Sequence, residues 1–433
     1  MKYVIIGNSA AGIGAAEGIR QIDKSGEITV IASEPHHTYS RPLISYLLRG
    51  KVTEEGMKYR SDNFYNDNNI SLLSGVTVVK IEAEKKQLTL TNGKNINYDK
   101  LLVASGSVPF VPPFEGLGAV KNKFTFMCLD DARQLDKTLS DDAFKNGAKV
   151  LIIGAGLIGL KCAEGIINRV SEITVTDIAS GILQSILDEK GAAIVQKHIE
   201  KQGVRFMLKS GVKKFENDCA AGAACAVFED GRTVNFDILV LAVGVRPNTS
   251  LLKGVADIER GVIVNNKSET SAQDIYSAGD CTQTLDISSG QSKIMALLPN
   301  AYMQGECAGI NMAGGEFCFN KAIPMNAISF FGLHMITAGN YAGDTYFRNV
   351  DKEPVAENFH PVCSGESYKK LFYSDNRLNG YILIGNVEKA GIYTSLIREQ
   401  TPLDSIDFAL ICERPGLMAF SKEERVIKLG GVS

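Results

Sequence analysis

A chain of 433 residues with 45% hydrophobic and 22% charged content is a globular protein too long for one core, and two or three domains are expected. Its formal charge of −3 gives no steering toward nucleic acid or an anionic membrane. No apolar run approaches the roughly 18 residues of a membrane span, and the stretch at 3–6 is too short for a signal-peptide core, so a cytoplasmic protein is expected.

The chain opens with a buried strand at residues 3–6, a glycine turn at 7–12, helical spacing over 13–22 and a second strand at 28–31. Residues 76–81 and 87–91 alternate as strands, with Asn92-Gly93 as a hairpin turn before the next stretch. Pro109, Pro112 and Pro113 mark a crossing between domains. The opening grammar then recurs as strand 150–153, glycine turn 154–159, helix and strand 173–176, about 147 residues after the first copy. Phe215, 226–228 and 233–234 around Asp230-Gly231 repeat the hairpin. Beyond about Pro324 the chain becomes aromatic and Gly-punctuated, with strands expected at 328–333, 368–373 and 380–384 and helices after them. The fold class expected is α/β: two Rossmann-like dinucleotide-binding domains plus a C-terminal α+β interface domain.

The second glycine turn is complete. Gly154 permits the tight turn, Gly156 lets the backbone approach a pyrophosphate, and Gly159 allows close helix–strand packing. Asp177 ends the second strand, 18 residues past Gly159, where a carboxylate can accept hydrogen bonds from a ribose. Its charge would repel a 2′-phosphate, and no Arg or Lys follows in Ile178-Ala179-Ser180, which favours NAD over NADP. The first turn departs from the pattern, because Ser9 stands where the second glycine belongs. That side chain crowds a pyrophosphate, though its hydroxyl can hydrogen-bond there. Glu34, 22 residues past Gly12, is the matching ribose candidate.

The 9 cysteines form neither the two-apart pairs of zinc or iron–sulfur sites nor a close redox pair, so no metal site is expected. They read as buried free thiols of a reducing compartment. Cys219 and Cys225 fall in an Ala/Gly-rich loop or hairpin, and Cys281 reads as a small buried filler.

Three further stretches carry a resemblance. Residues 101–109, with Ala104-Ser105-Gly106, resemble the "ATG" stretch of the pyridine-nucleotide disulfide oxidoreductase superfamily. Residues 275–280, with Gly279-Asp280, resemble its second FAD motif, and 241–248, with Val243-Gly244, the segment closing its NAD domain. With both glycine turns, the resemblance covers roughly residues 1–320. It implies FAD held by Gly7, Ser9, Ala10, Ala11, Gly12, Glu34, Arg41, Pro42, Val78, Ala104, Ser105, Gly106, Gly279, Asp280 and Leu297, with Asp280 on the ribityl chain. It implies NAD(H) at Gly154, Gly156, Leu157, Ile158, Gly159, Asp177, Val243 and Gly244. The domains implied are 1–115 with 247–320 for FAD, 116–246 for NAD, and 321–433 as an interface domain that in this family commonly forms a homodimer.

Disulfide reductases of this superfamily carry a nucleophilic Cys after the ribose acid. Residues 38–45 hold no thiol, which argues against dithiol or Cys-sulfenate chemistry. Lys161 stands where many of these reductases carry Glu, and it joins Arg41 as a candidate catalytic group. The segment Tyr39-Ser40-Arg41-Pro42-Leu43-Ile44-Ser45 resembles NADH:rubredoxin reductases, the flavin domain of nitrite reductases and FAD subunits of multi-subunit oxo-acid or aldehyde oxidoreductases. It also reads as a helix start, with Ser40 near the cap, Pro42 in the first turn and Gly50 as the stop. His36 and His37 read as a solvated loop, Phe330 and Phe331 as core of the third domain, and His360-Pro361 as a histidine with no thiol to serve.

The activity implied is hydride exchange between NAD(H) and FAD, with electrons passed to or from an external rubredoxin, ferredoxin or iron–sulfur subunit. A free-standing reductase and the NAD-reducing subunit of a larger complex both fit. The alternatives are a Cys-independent NADH oxidase and a non-enzymatic, nucleotide-responsive flavoprotein.

Overall fold

The computed structural model describes residues 1–144, 146–217, 224–350 and 367–429. They form two compact units: Met1–Ser185 with Ile199–Thr284 and Lys293–Phe319, and Ile186–His198 with Leu285–Ser292 and Asn320–Ser433. Among the described residues, no helix is long and apolar enough to cross a membrane.

The first unit contains two parallel five-stranded sheets. One runs in the order Ile275–Ser277, Lys100–Val103, Lys2–Ile6, Glu27–Ala32, Ile70–Ser74. Ile5 lies opposite both Val30 and Leu102, and residues 3–6 are buried on both faces, as a parallel strand covered twice requires. The chain steps from Lys2–Ile6 to one neighbour and later to the other, so the strand order reverses beside it and a crevice opens at the carboxyl ends. The second sheet repeats this plan in the order Val204–Met207, Val170–Thr176, Ala148–Ile153, Ile238–Leu241, Lys123–Phe124.

Two antiparallel three-stranded flaps accompany these sheets. Val78–Glu82, Gln87–Leu90 and Asn95–Asn97 form one, with Gly93 at φ 78° in its turn. Val212–Asn217, Ala224–Phe228 and Thr233–Phe236 form the other, with Gly231 at φ 85°. Cys225 lies on the middle strand of the second flap. Cys219, Cys363, His360 and Pro361 fall outside the described residues. Ser107–Pro109 pairs antiparallel with Val245–Pro247, so the chain leaves the first nucleotide fold and re-enters it through adjacent strands.

The helices that matter for the site are α1 (Ala10–Ile22), α2 (Ile44–Leu48), α3 (Phe64–Asp67), α4 (Leu129–Leu139), α5 (Leu157–Ile166), α6 (Glu189–Glu200) and α7 (Leu298–Met312). α1 and α7 pack backbone to backbone. A Cβ on Gly305 would lie 2.0 Å from the Ala11 carbonyl oxygen, and one on Gly309 would lie 2.1 Å from that of Ala15. Gly14 and Gly18 of α1 return the arrangement, each 2.4 Å from a carbonyl oxygen of α7.

The second unit is an antiparallel sheet in the order Met325–Phe330, Leu333–Gly339, Arg377–Ile384, Ser367–Ser374, Asp344–Val350. Ala390–Arg398 and Phe408–Glu413 are helical, and Leu396, Ile397 and Ile411 join Leu371, Tyr381 and Leu383 in one core. One strand was expected across 328–333. The structure instead places a hairpin there, with Phe330 paired to Leu333 and Phe331 (φ 49°) and Gly332 (φ 87°) forming its two-residue turn. Two successive positive φ angles suit the twist of a tight hairpin, and an aromatic residue at the first hides the turn from the sequence. Most of α6 belongs to this unit. Asp188 accepts from Tyr368 Oη (2.5 Å) and Lys370 Nζ (2.8 Å), and Tyr341 Oη donates to the Ile186 carbonyl (2.7 Å).

Candidate functional site

A cleft of about 520 Å³ lies at the carboxyl ends of Lys2–Ile6 and Lys100–Val103. Gly7 has φ 118°, and its Cβ would meet the Ala104 oxygen at 2.2 Å, so glycine is required for strand and turn to approach. Ser9 caps α1 in an extended conformation without a side-chain cap hydrogen bond. The cleft is lined by Gly7, Ser9, Ala10, Ala11, Glu34, Arg41, Val78, Ala104, Ser105, Gly106, Gly279 and Asp280, gathering twelve sequence candidates at one place. Gly12, Pro42 and Leu297 stand behind its wall. Gly12 packs against the Gly7 carbonyl, Pro42 is in the single turn Arg41–Leu43, and Leu297 precedes α7, whose Leu298 and Ala301 do reach the cleft.

Glu34 accepts from Tyr39 Oη (2.6 Å) and from Arg41 Nη2. Arg41 also reaches the Met127 carbonyl at 3.4 Å. Asp280 accepts from Ser107 Oγ (3.3 Å), and burial pushes its carboxyl above the ordinary range against the opposing pull of Ser107 and Arg41. Gln304 of α7 takes the Gly279 N–H at 2.9 Å and so fixes that turn. These groups fit a dinucleotide: helix-start N–H groups for a pyrophosphate, with two carboxylates, Glu34 and Asp280, for the sugar hydroxyls.

The second glycine turn has the same build. Gly154 has φ 114°, and a Cβ there would meet the Ala242 oxygen at 2.2 Å. Gly159 packs on the Gly154 carbonyl, while a Cβ on Gly156 would meet nothing within 4 Å, leaving its face open for a phosphate. Leu157 and Ile158 form the first turn of α5, and Val243 and Gly244 follow the neighbouring strand Ile238–Leu241. Asp177 accepts from Ala155 N (2.7 Å) and Ala179 N (2.9 Å), which places its carboxylate beside the turn. Ile178 next to it is 81% exposed.

Lys161 on α5 donates to Glu164 and stands 4.6 Å over the Tyr46 ring of α2. Arg49 Nη1, from the residue that ends α2, reaches the same Glu164 at 2.9 Å, so two cations converge on a carboxylate only 5% exposed. Sequence reasoning missed Glu164 because its partner Arg49, just past the end of α2, lies 115 residues away.

Ser40 is the N-cap of the 3₁₀ turn Arg41–Leu43 and Pro42 lies within it, as the helix-start reading expects. One expectation needs adjustment. His36 and His37 are not a solvated loop: both line the cleft, and His36 Nε2 meets Asp130 Oδ1 at 2.8 Å. The acidic first turn of α4 was the available signal, but nothing local pairs residues 94 positions apart. Cys128 also lines the cleft, with burial pushing its thiol up to about 11. It is therefore a neutral thiol at pH 7, the opposite of an activated nucleophile. Cys281 is fully buried against Ser277 Oγ and the Val103 carbonyl. Among the described residues, no group of three His, Cys, Asp or Glu could hold a metal.

Two nucleotide folds in tandem, a glycine turn and acid in each, and a C-terminal sheet unit define a two-dinucleotide oxidoreductase. The chain belongs to the pyridine nucleotide-disulphide oxidoreductase family, whose model matches residues 1–305, and residues 324–401 match the rubredoxin NAD+ reductase C-terminal domain. It is 28% identical over 409 residues to the epsilon subunit of NADH-dependent phenylglyoxylate dehydrogenase of Aromatoleum evansii, covering 93% of this chain and 92% of that one. It is 30% identical over 402 residues to an NADH oxidase of Methanocaldococcus jannaschii, covering 89% and 88%. The structure of a NAD-dependent persulfide reductase from A. fulgidus superposes with a TM-score of 0.83 at 25% identity, over 94% of this chain and 79% of that one. The protein is an FAD-dependent NAD(P)H oxidoreductase that works with a redox partner protein.

Proposed function

We propose that the cleft beside Lys2–Ile6 takes FAD along its length and that the turn from Gly154 to Gly159 takes NAD(H). The domains then divide as 1–115 with 247–320, 116–246, and 321–433. The observation that carries this assignment is the recurrence in both folds of a glycine-turn helix start with a carboxylate after the second strand, Glu34 in one and Asp177 in the other. Bound FAD supplies the conversion between a two-electron nicotinamide and a one-electron partner.

The chain's own contribution is binding, orientation and charge. The first-turn N–H groups of α1 meet the pyrophosphate, and the Ser9 hydroxyl adds a donor where glycine is usual. Asp280 accepts from a ribityl hydroxyl, and Arg41 brings positive charge to the cleft wall. Lys161, held by Glu164 beside the Gly159 helix start, is the candidate group on the nicotinamide side. The Asp177 carboxylate disfavours a 2′-phosphate and so favours NADH.

The lack of a thiol in residues 38–45 and the neutral Cys128 support electrons leaving to an external one-electron carrier. The C-terminal match supports rubredoxin or a similar iron–sulfur protein. The similarity to a dehydrogenase subunit supports a second reading, an NAD-reducing subunit fed by an iron–sulfur partner. The free thiols fit a cytoplasmic location. Anaerobic stopped-flow mixing of FAD-loaded protein with NADH, then with NADPH, tests the assignment. Rapid bleaching of the flavin band by NADH, with a much slower response to NADPH, is expected. Bleaching by neither would overturn it.

A further inference from the structure

We infer that residues 36–41 form a strap latched onto the N-terminal turn of α4 beside the FAD cleft, with Tyr39 as the positioning residue that holds Glu34 for the adenosine half of the cofactor. This rests on the assignment of FAD to that cleft.

The bonding directions around Tyr39 are fixed. The Leu129 N–H can only donate, and it donates to Tyr39 Oη at 2.9 Å. The phenol proton must therefore point to its other neighbour, Glu34 Oε2, at 2.6 Å. One hydroxyl thus connects the ribose-candidate carboxylate to the first turn of a helix 90 positions further on. The second carboxylate oxygen of Glu34 is taken by Arg41, so the side chain is held from both sides.

Two further ties run in parallel. His36 Nε2 meets Asp130 Oδ1 at 2.8 Å, and Arg41 Nη1 reaches the Met127 carbonyl at 3.4 Å. Both anchors are stiff. Asp131 accepts from Met127 N at 2.7 Å and Cys128 N at 3.3 Å, closing a capping box on α4. The strap backbone is pinned on its other side by Ser40 N to the Met57 carbonyl (2.8 Å) and Tyr59 N to the Thr38 carbonyl (3.0 Å). His36, Tyr39 and Arg41 all line the cleft from the strap, and Met127, Cys128 and Asp131 line it from the other side of the latch.

The hydrogen bonds of the latch gather on Glu34, while Asp280 accepts from Ser107 and feels the charge of Arg41. Removing the Tyr39 hydroxyl leaves Arg41, Ser107 and Asp280 in place, so its loss should be felt by the adenosine half and not by the flavin half. FMN ends at its phosphate and has no adenosine, so it serves as the internal control.

The experiment titrates apoprotein with FAD and, separately, with FMN, for the native chain and for Tyr39→Phe. Losing a hydrogen bond to a charged acceptor should weaken FAD binding about 10- to 100-fold. FMN binding should not change. Equal weakening of both flavins would show general damage and overturn the inference, as would unchanged FAD affinity. Should Tyr39→Phe fail to fold, Asp130→Ala removes the acceptor of the second tie at a half-exposed side chain and should weaken FAD several-fold, again sparing FMN. Unchanged FAD affinity in that variant counts against the latch. Native apoprotein that binds no FAD would instead refute the cofactor assignment, so the two failures are distinguishable.

Discussion

Replacing Gly309 with alanine sets two effects of opposite sign against each other. Alanine favours a helix over glycine by about 0.8–1 kcal/mol, so an unencumbered site would gain stability. Here the new Cβ would lie 2.1 Å from the Ala15 oxygen, 2.8 Å from its carbonyl carbon and 2.9 Å from its Cα. All three are main-chain atoms, and none can rotate away. Restoring an ordinary carbon–oxygen contact of about 3.3 Å means parting α1 and α7 by about 1 Å. A gap of that size forfeits a quarter to a half of the dispersion energy along the seam, and overpacking of this kind costs about 1–3 kcal/mol or more. The clash wins, and Gly309→Ala should lose about 2 kcal/mol. Thermal and urea unfolding of the FAD-loaded protein, followed by release of flavin fluorescence, reads this directly. Gly391→Ala is the control, since its Cβ would meet nothing within 4 Å and should gain up to about 0.8–1 kcal/mol. A Gly309→Ala protein as stable as the native chain would mean that the seam has slack, and the close-approach argument would fail.

Asp177→Ala should raise the KM for NADH about 10- to 100-fold while affecting NADPH far less. An equal rise for both nucleotides would mean that the carboxylate only braces Ala155 and Ala179. Glu164→Gln should destabilise the first unit by about 3 kcal/mol, because it removes the buried anion on which Arg49 and Lys161 converge; a melting temperature equal to native would mark the cluster as energetically neutral. Burial alone would raise the Asp188 carboxyl, but bonds from Lys370, Tyr368 and Gly191 hold it below its ordinary value. Its contribution is therefore present above the unfolded value of 3.8 and is lost as pH falls through the lower folded value. Asp188→Asn should be less stable at pH 7 and show a flatter acid limb below about pH 4. Melting curves for native and variant that run parallel from pH 7 to 3 would remove Asp188 from the account.

Much of the fold could be read because its determinants are local. A strand that must turn at once into a helix needs glycine at Gly7 and Gly154, and an acid follows the next strand about 20 residues past the turn. Most of the twelve cleft residues meet for the same reason, since their motifs follow the ends of neighbouring strands, while Arg41 comes from a 3₁₀ turn and Val78 from the flap. What could not be read depends on distance or on disguise. Gly305 and Gly309 look like weak helix positions until α1 is laid against them. His36 and Tyr39 look like loop residues until α4 returns to bond them. The turn at Phe331 is disguised by an aromatic residue holding a positive φ. Most of α6 follows the second glycine fold in sequence yet packs with the C-terminal sheet, a choice made by Tyr341, Tyr368 and Lys370 more than 140 residues later.

The antiparallel pair Ser107–Pro109 and Val245–Pro247 makes everything between residues 110 and 244 a cassette whose entrance and exit stand side by side. Val245 is paired with Pro109, and paired residues in such a ladder are about 5 Å apart. A two-residue turn could close that gap, converting the joint into an ordinary hairpin and leaving the first nucleotide fold with no loose ends. Coincident termini of this kind mark an insertion point. The segment also has further ties to the rest of the chain, at Ile186 and Asp188 and through the first turn of α4, so its two ends are joined more simply than its surface.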